Sequence, residues 1–199
     1  MSTTAHRAIA LALAFGLAGS AAVANSEVDL DAMRAATEKY RDVEMALADG
    51  FIRDPSDSCV SAEAEGLPAE WGAMGVHYIH PARLKIKQGT ERVDGDSTNT
   101  EFMEPSILLY EPQADGSMEL VAVENLVWIA AWEAAGNADA PMTNGRVWDT
   151  MMDDPATEAD EAHGFEPHYD QHFWAFRDNP AGELMPFNAS VSCEHHGGS

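Results

Sequence analysis

The chain of 199 residues carries 34 acidic against 11 basic side chains, for a formal net charge of −23, with 45% apolar residues and 2 cysteines. That length fits one ordinary domain with a real core, or two small ones at most, and the apolar fraction argues against wholesale disorder. The charge argues against nucleic-acid binding through phosphates and against docking on anionic lipid, and two cysteines are too few for a disulfide-framework miniprotein or a four-cysteine zinc site.

Residues 1–24 have the layout of a secretory signal peptide. The n-region MSTTAHR carries Arg7, an apolar small-residue stretch follows, and Ala22-Val23-Ala24 forms an A-x-A cleavage pattern before Asn25. The alternative, a membrane anchor, is poorly served by 16 residues from Ile9 to Ala24 that are rich in alanine and glycine. Cleavage would remove one arginine and no acid, leaving 10 basic and 34 acidic side chains and a net charge of −24. No stable membrane anchor is then expected, and the protein is placed in the periplasm or outside the cell. In that oxidising setting Cys59 and Cys193 read as a disulfide closing about 135 residues, worth roughly 5 kcal/mol in the chain-entropy model. The alternative is a reactive or metal-binding thiol pair.

In the mature chain, 27–49 reads as one amphipathic helix, with Leu30, Met33, Thr37, Tyr40, Val43, Met45 and Leu47 on its apolar side, Ser26 as cap and Gly50 as stop. A loop with Cys59 follows. Strands are expected at 74–80, at 107–112 and 118–124 as a hairpin across Gln113–Ser117, and at 168–177, ended by Asp178-Asn179-Pro180. The pattern leaves 125–134 undecided between strand and helix. The acid-rich stretches 94–101 and 153–162 read as solvated surface loops. No repeat or long linker divides the chain. The expectation for 25–199 is a single α+β domain, an N-terminal helix on an antiparallel sheet that is open or barrel-like.

Three polar residues stand where apolar ones would be expected inside β runs: His77 in MGVHYIHP, Glu124 at the end of LVAVE, and His172 in YDQHFWAF. A carboxylate among valines is costly to bury unless it has a partner or a proton. If the three strands are neighbours, two imidazoles and a carboxylate converge, a set suited to Zn(II), Fe(II) or Mn(II). Strand alternation puts His168 and Asp170 on the face of His172, as a fourth ligand or as groups that orient one. The alternative is a hydrogen-bonded network with no metal, in a binding or structural module whose aromatic residues meet a small molecule.

Other chemistry is less well supported. His77 and His80 lie three apart and would point to opposite faces of a strand unless the chain bends at Pro81. His195 and His196 belong to a glycine-rich tail. Copper is suggested by nine methionines in the mature chain, but no M-x-x-M cluster appears. The DGDSTNTE loop lacks the order of an EF-hand. There is no G-x-S-x-G elbow, P-loop or G-x-G-x-x-G motif, and no residue is singled out as catalytic. Trp71, Trp128, Trp132, Trp148 and Trp174 read mainly as core.

Taken together, MGVHYIHP, LLYEPQADGSMELVAVEN, HFWAFRDNPAG and FNASVSC resemble a family of secreted bacterial proteins of unknown function. The resemblance runs from about residue 30 to Cys193. It departs at Ala189, where the pattern has proline, and at Phe176, in place of a second tryptophan. It implies secretion and carries over no activity and no site residues.

Overall fold

In the computed structural model, residues 25–156, 160 and 162–197 are described; the segment expected to be a signal peptide, 1–24, lies outside them. In chain order the elements are β1 (Asn25–Ser26), α1 (Leu30–Thr37), α2 (Val43–Asp49), β2 (Ile52–Arg53), β3 (Cys59–Ser61), β4 (Ala73–Ile79), α3 (Pro81–Leu84), β5 (Ile107–Pro112), β6 (Met118–Trp128), α4 (Ile129–Ala134), β7 (Met142–Thr143), β8 (Arg146–Val147), β9 (Asp149–Met151) and β10 (His168–Phe173). The main sheet runs β2-β4-β5-β6-β10-β9, with β3 also paired to β4, and every pairing in it is antiparallel. β1, β7 and β8 form a small second sheet. The architecture is α+β and dominated by sheet. The sheet is open, which corrects the barrel-like alternative: β2 and β9 are its edges and do not meet.

A single helix over 27–49 does not form. Asp29, not Ser26, caps α1, accepting from Asp31 N and Ala32 N. A 3-10 turn spans Glu38–Arg41, and Asp42 then leaves the helical region (φ −90°, ψ 108°) and caps α2 through Glu44 N. The break shifts the phase of the buried stripe. Met33, Thr37, Tyr40 and Ala46 face inward, while Met45 and Leu47 are exposed. Gly50 stops α2 with φ +105°, a conformation glycine adopts at no steric cost.

The undecided stretch resolves as both alternatives in turn: β6 continues to Trp128 and α4 follows directly. β10 ends at Phe173, short of the expected 177. The loop 94–101 is not purely surface. Gly95 and Ser97 are buried, and a Cβ on Gly95 would stand 2.4 Å from both Leu84 O and Trp128 Nε1, so the chain passes flush against that indole.

Two cores lie on the two faces of the sheet. Under the helices, Met33, Tyr40 and Phe51 pack on Val76, Leu108, Leu120, Val123 and Phe173. On the other face, Ile79, Ile107, Leu109, Ala122, Leu126 and Trp174 are covered by Leu84, Phe165 and Val191, which come from loops and the short α3. Cys59 and Cys193 form the expected disulfide, with Cα atoms 5.7 Å apart, which ties the C-terminal segment to β3. No helix among the described residues is long and apolar enough to cross a membrane.

Candidate metal centre

The loop-covered face carries the site. A β-bulge decides which residues reach it. Leu109 pairs with Ala122 but Tyr110 pairs with Leu120, so Val121 is the extra residue in β6. Before the bulge, Leu120 faces the helices; after it, Val123 does, and Ala122, Glu124 and Leu126 face the loops. Strict alternation from Leu120 would have sent Glu124 into the helical core. In β10 alternation is regular and places His168, Asp170 and His172 on the Glu124 side. His172 and Glu124 are direct cross-strand partners. His77 comes from β4, two strands from β6, and reaches over β5.

Glu124 Oε2 lies 3.3 Å from His77 Nε2 and 3.5 Å from His172 Nε2. One ligand atom from each of the three residues lies within 4.8 Å of the other two. Ligand atoms about 2.0–2.2 Å from a tetrahedral zinc sit about 3.3–3.5 Å apart. The two carboxylate–imidazole edges match that spacing. The group is enclosed, since Glu124 is 3% and His172 1% exposed, while 18% of the His77 side chain is accessible.

Hydrogen bonding does not account for the arrangement. Glu124 Oε2 and both ring nitrogens of His172 are buried without a hydrogen-bond partner. The atoms are close, but their directions are wrong for hydrogen bonds. Buried polar groups are ordinarily satisfied, and each orphan costs about 1–3 kcal/mol. Donor atoms turned towards a common point with no partner are what a cation between them would satisfy. The His172 ring lies parallel to Trp174, 14° between planes with centroids 6.5 Å apart, and Trp174 Nε1 donates to Met185 O at 2.6 Å.

Electrostatics favour the ligating protonation state. Burial pushes the Glu124 carboxyl up, but the adjacent His172 and His77 imidazoles outweigh it and hold it below the ordinary carboxylate value. Burial lowers His172 against the opposing pull of the Glu124 charge. His77 is raised, because the Glu124 carboxylate overcomes the burial that would depress it. Glu124 is thus held as the carboxylate a metal would need, and metal uptake would release the proton held by the histidines beside it.

His168 does not join the trio. Its Nδ1 bonds Glu166 O at 2.9 Å and its ring packs on Trp128 and Phe165. It lines, with Asp170, a cleft that also exposes His77 and Glu124. His172 lies behind, outside the lining. Burial and the Glu124 charge hold the Asp170 carboxyl well above its ordinary value, and its Oδ1 has no hydrogen-bond partner. His80 is also elsewhere: its Nδ1 caps α3 and its Nε2 meets Asp49 O at 3.1 Å, so the H-x-x-H pair is not a chelate.

The sequence suggests a small polar pocket around the two histidines and Glu124; the structure gives a cleft with a mainly apolar wall that takes His77 and Glu124 and leaves His172 outside its lining. Its walls come from the loop 54–58, from β3, β4, β5, β6, β9 and β10, and from the turn 162–165, which only tertiary structure assembles. Compared with known proteins, the chain matches no family model, no curated protein and no solved structure.

Proposed function

We infer that this is an exported protein, periplasmic or secreted, that holds one divalent metal ion with His77 Nε2, Glu124 Oε2 and His172 Nε2. The observation that carries the reading is the convergence of three ligand atoms within 4.8 Å of one another, two of which, Glu124 Oε2 and His172 Nε2, are buried without a hydrogen-bond partner. Two imidazoles and one carboxylate suit Zn(II), Fe(II) or Mn(II). The near-tetrahedral edges favour zinc. Copper is the weaker choice, because the trio contains no sulfur. The disulfide supports export, since such bonds persist in oxidising compartments.

Three protein ligands leave room for an exogenous one, the arrangement of catalytic rather than structural zinc sites. His77 and Glu124 face the cleft, and Asp170 and His168 stand beside them. A bound ion would supply Lewis acidity or a water of lowered pKa there. The chain's own residues would orient the incoming group and hold a proton at Asp170. The competing reading, a binding or structural module without metal, draws on the His77–Glu124 ion pair, which neutralises part of the buried charge unaided.

Elemental analysis of untagged protein as isolated separates the two. The metal reading predicts about one equivalent in the wild type, retained by a His195→Ala/His196→Ala tail variant and lost in His172→Ala. Negligible metal in all three, with unchanged stability of His172→Ala, would leave the metal-free reading standing.

A further inference from the structure

We propose that the cleft in front of the trio receives a small, uncharged, mainly apolar molecule whose single polar group is offered to His77 and Glu124. This names the ligand class of the site described above, and rests on the metal reading only for what that polar group meets.

The cleft offers about 90 Å³ of room and is open on one side, so it takes part of a small molecule and leaves the rest towards solvent. Val60, Met74, Ile79, Ile107, Leu126 and Phe165 supply most of the wall; the polar lining is His77, Glu124, His163, His168 and Asp170, with Asp54 and the exposed Ser56 and Ser58. Apolar walls with a few convergent polar groups fix the orientation of a ligand that is itself mostly apolar.

Charge narrows the class further. Among the described residues, the ionisable groups lining the cleft are Asp54, Glu124 and Asp170 with His77, His163 and His168, and no lysine or arginine lines it. In the metal-free protein a carboxylate or phosphate would approach Asp54 and Glu124 in a chain of net charge −23, with no lysine or arginine among the described lining residues to receive it. A cation would leave water for a wall of Ile107, Leu126 and Phe165, and burial of an ionised group there is unfavourable. An alcohol, aldehyde, ketone or amide on one ring or a short hydrocarbon chain meets both constraints.

The test compares benzyl alcohol, benzoate and benzylamine, isosteric probes of three charges, by NMR shift titration on metal-loaded and metal-stripped protein. Benzyl alcohol is expected to bind saturably, at least tenfold tighter than either ion, with shifts confined to Val60, Met74, Ile107, Leu126 and their neighbours. Met74→Trp and Val60→Trp, at half-buried wall positions, are expected to weaken it at least tenfold with unchanged melting. Should either plug fail to fold, the shift map on the wild type still locates the site. Equal or tighter binding of benzoate or benzylamine to the metal-stripped protein would overturn the proposal, as would shifts outside the cleft. Benzyl alcohol that binds in the cleft of a protein unable to take up metal would keep this proposal and remove the metal reading. Metal uptake without benzyl alcohol binding would do the reverse.

Discussion

Beneath its helices the sheet presents Val76, Leu108, Leu120, Val123 and Phe173; the Tyr110 hydroxyl donates to Tyr40 O at 2.7 Å, Gln171 Nε2 donates to Leu184 O at 2.7 Å, and Asn125 Oδ1 accepts from Ser106 N at 2.8 Å, leaving only the Asn125 amide nitrogen short of a partner among these three. On the opposite face the same strands present His77, Glu124, Asp170 and His172, with Glu124 Oε2, Asp170 Oδ1 and both His172 nitrogens unpartnered. The covering layers differ as well. Two helices and a 3-10 turn seal the first face, whereas loops, α3 and a disulfide-tethered C-terminal segment cover the second and leave a cleft. One face therefore stabilises the fold, and the other stores polar groups at a cost that the fold alone does not recover. A protein that keeps such groups usually uses them.

The largest expected effect tests how the second face is held in place. Cys59→Ser/Cys193→Ser should lose about 5 kcal/mol, the chain-entropy value for a 134-residue separation, in urea unfolding under oxidising conditions. A loss under about 1 kcal/mol would show that packing, not the tether, holds the loop layer. Next, Phe173→Ala on the helical face should cost about 3–5 kcal/mol, the same with and without metal. Its cross-strand neighbourhood ends one residue from His172, so metal dependence of that loss would show the two faces to be coupled.

Glu124→Gln should change metal-free stability by only about 1 kcal/mol, because it removes a buried charge that is poorly satisfied. Metal affinity should nevertheless fall at least about 100-fold, the upper end of what changes to outer-shell groups cost. The smallest effect concerns pH. Burial sets the folded pKa of His168 below its ordinary 6.5, so the unfolded chain binds the proton more readily and stability falls as pH drops below about 6.5. His168→Asn should flatten that acid-side loss in metal-free protein. An unchanged slope between pH 7 and 5 would count against a buried neutral imidazole.

Much of this sheet was legible because period-two patterning is local. The hairpin across Gln113–Ser117 and the β4 core read directly from alternation and turn residues. The three metal-site candidates were legible for the opposite reason, as polar residues that break apolar runs. Their mutual approach was not, because His77, Glu124 and His172 are brought together by strand order β4-β5-β6-β10, and sequence spacing carries no record of it. The bulge at Val121 was hidden because an extra residue in an unbroken apolar run looks like any other. The helix break at Asp42 was hidden because an acid in an acidic amphipathic pattern serves equally as surface residue or cap.

The central claim is that His77, Glu124 and His172 hold one metal ion between them. Calorimetric titration of metal-stripped, untagged protein with Zn(II) tests it most directly, with Glu124→Gln and the His195→Ala/His196→Ala tail variant alongside. The account predicts one site of matching affinity in wild type and tail variant, with affinity at least about 100-fold weaker in Glu124→Gln. No binding by the wild type, or equal binding by all three proteins, would contradict it.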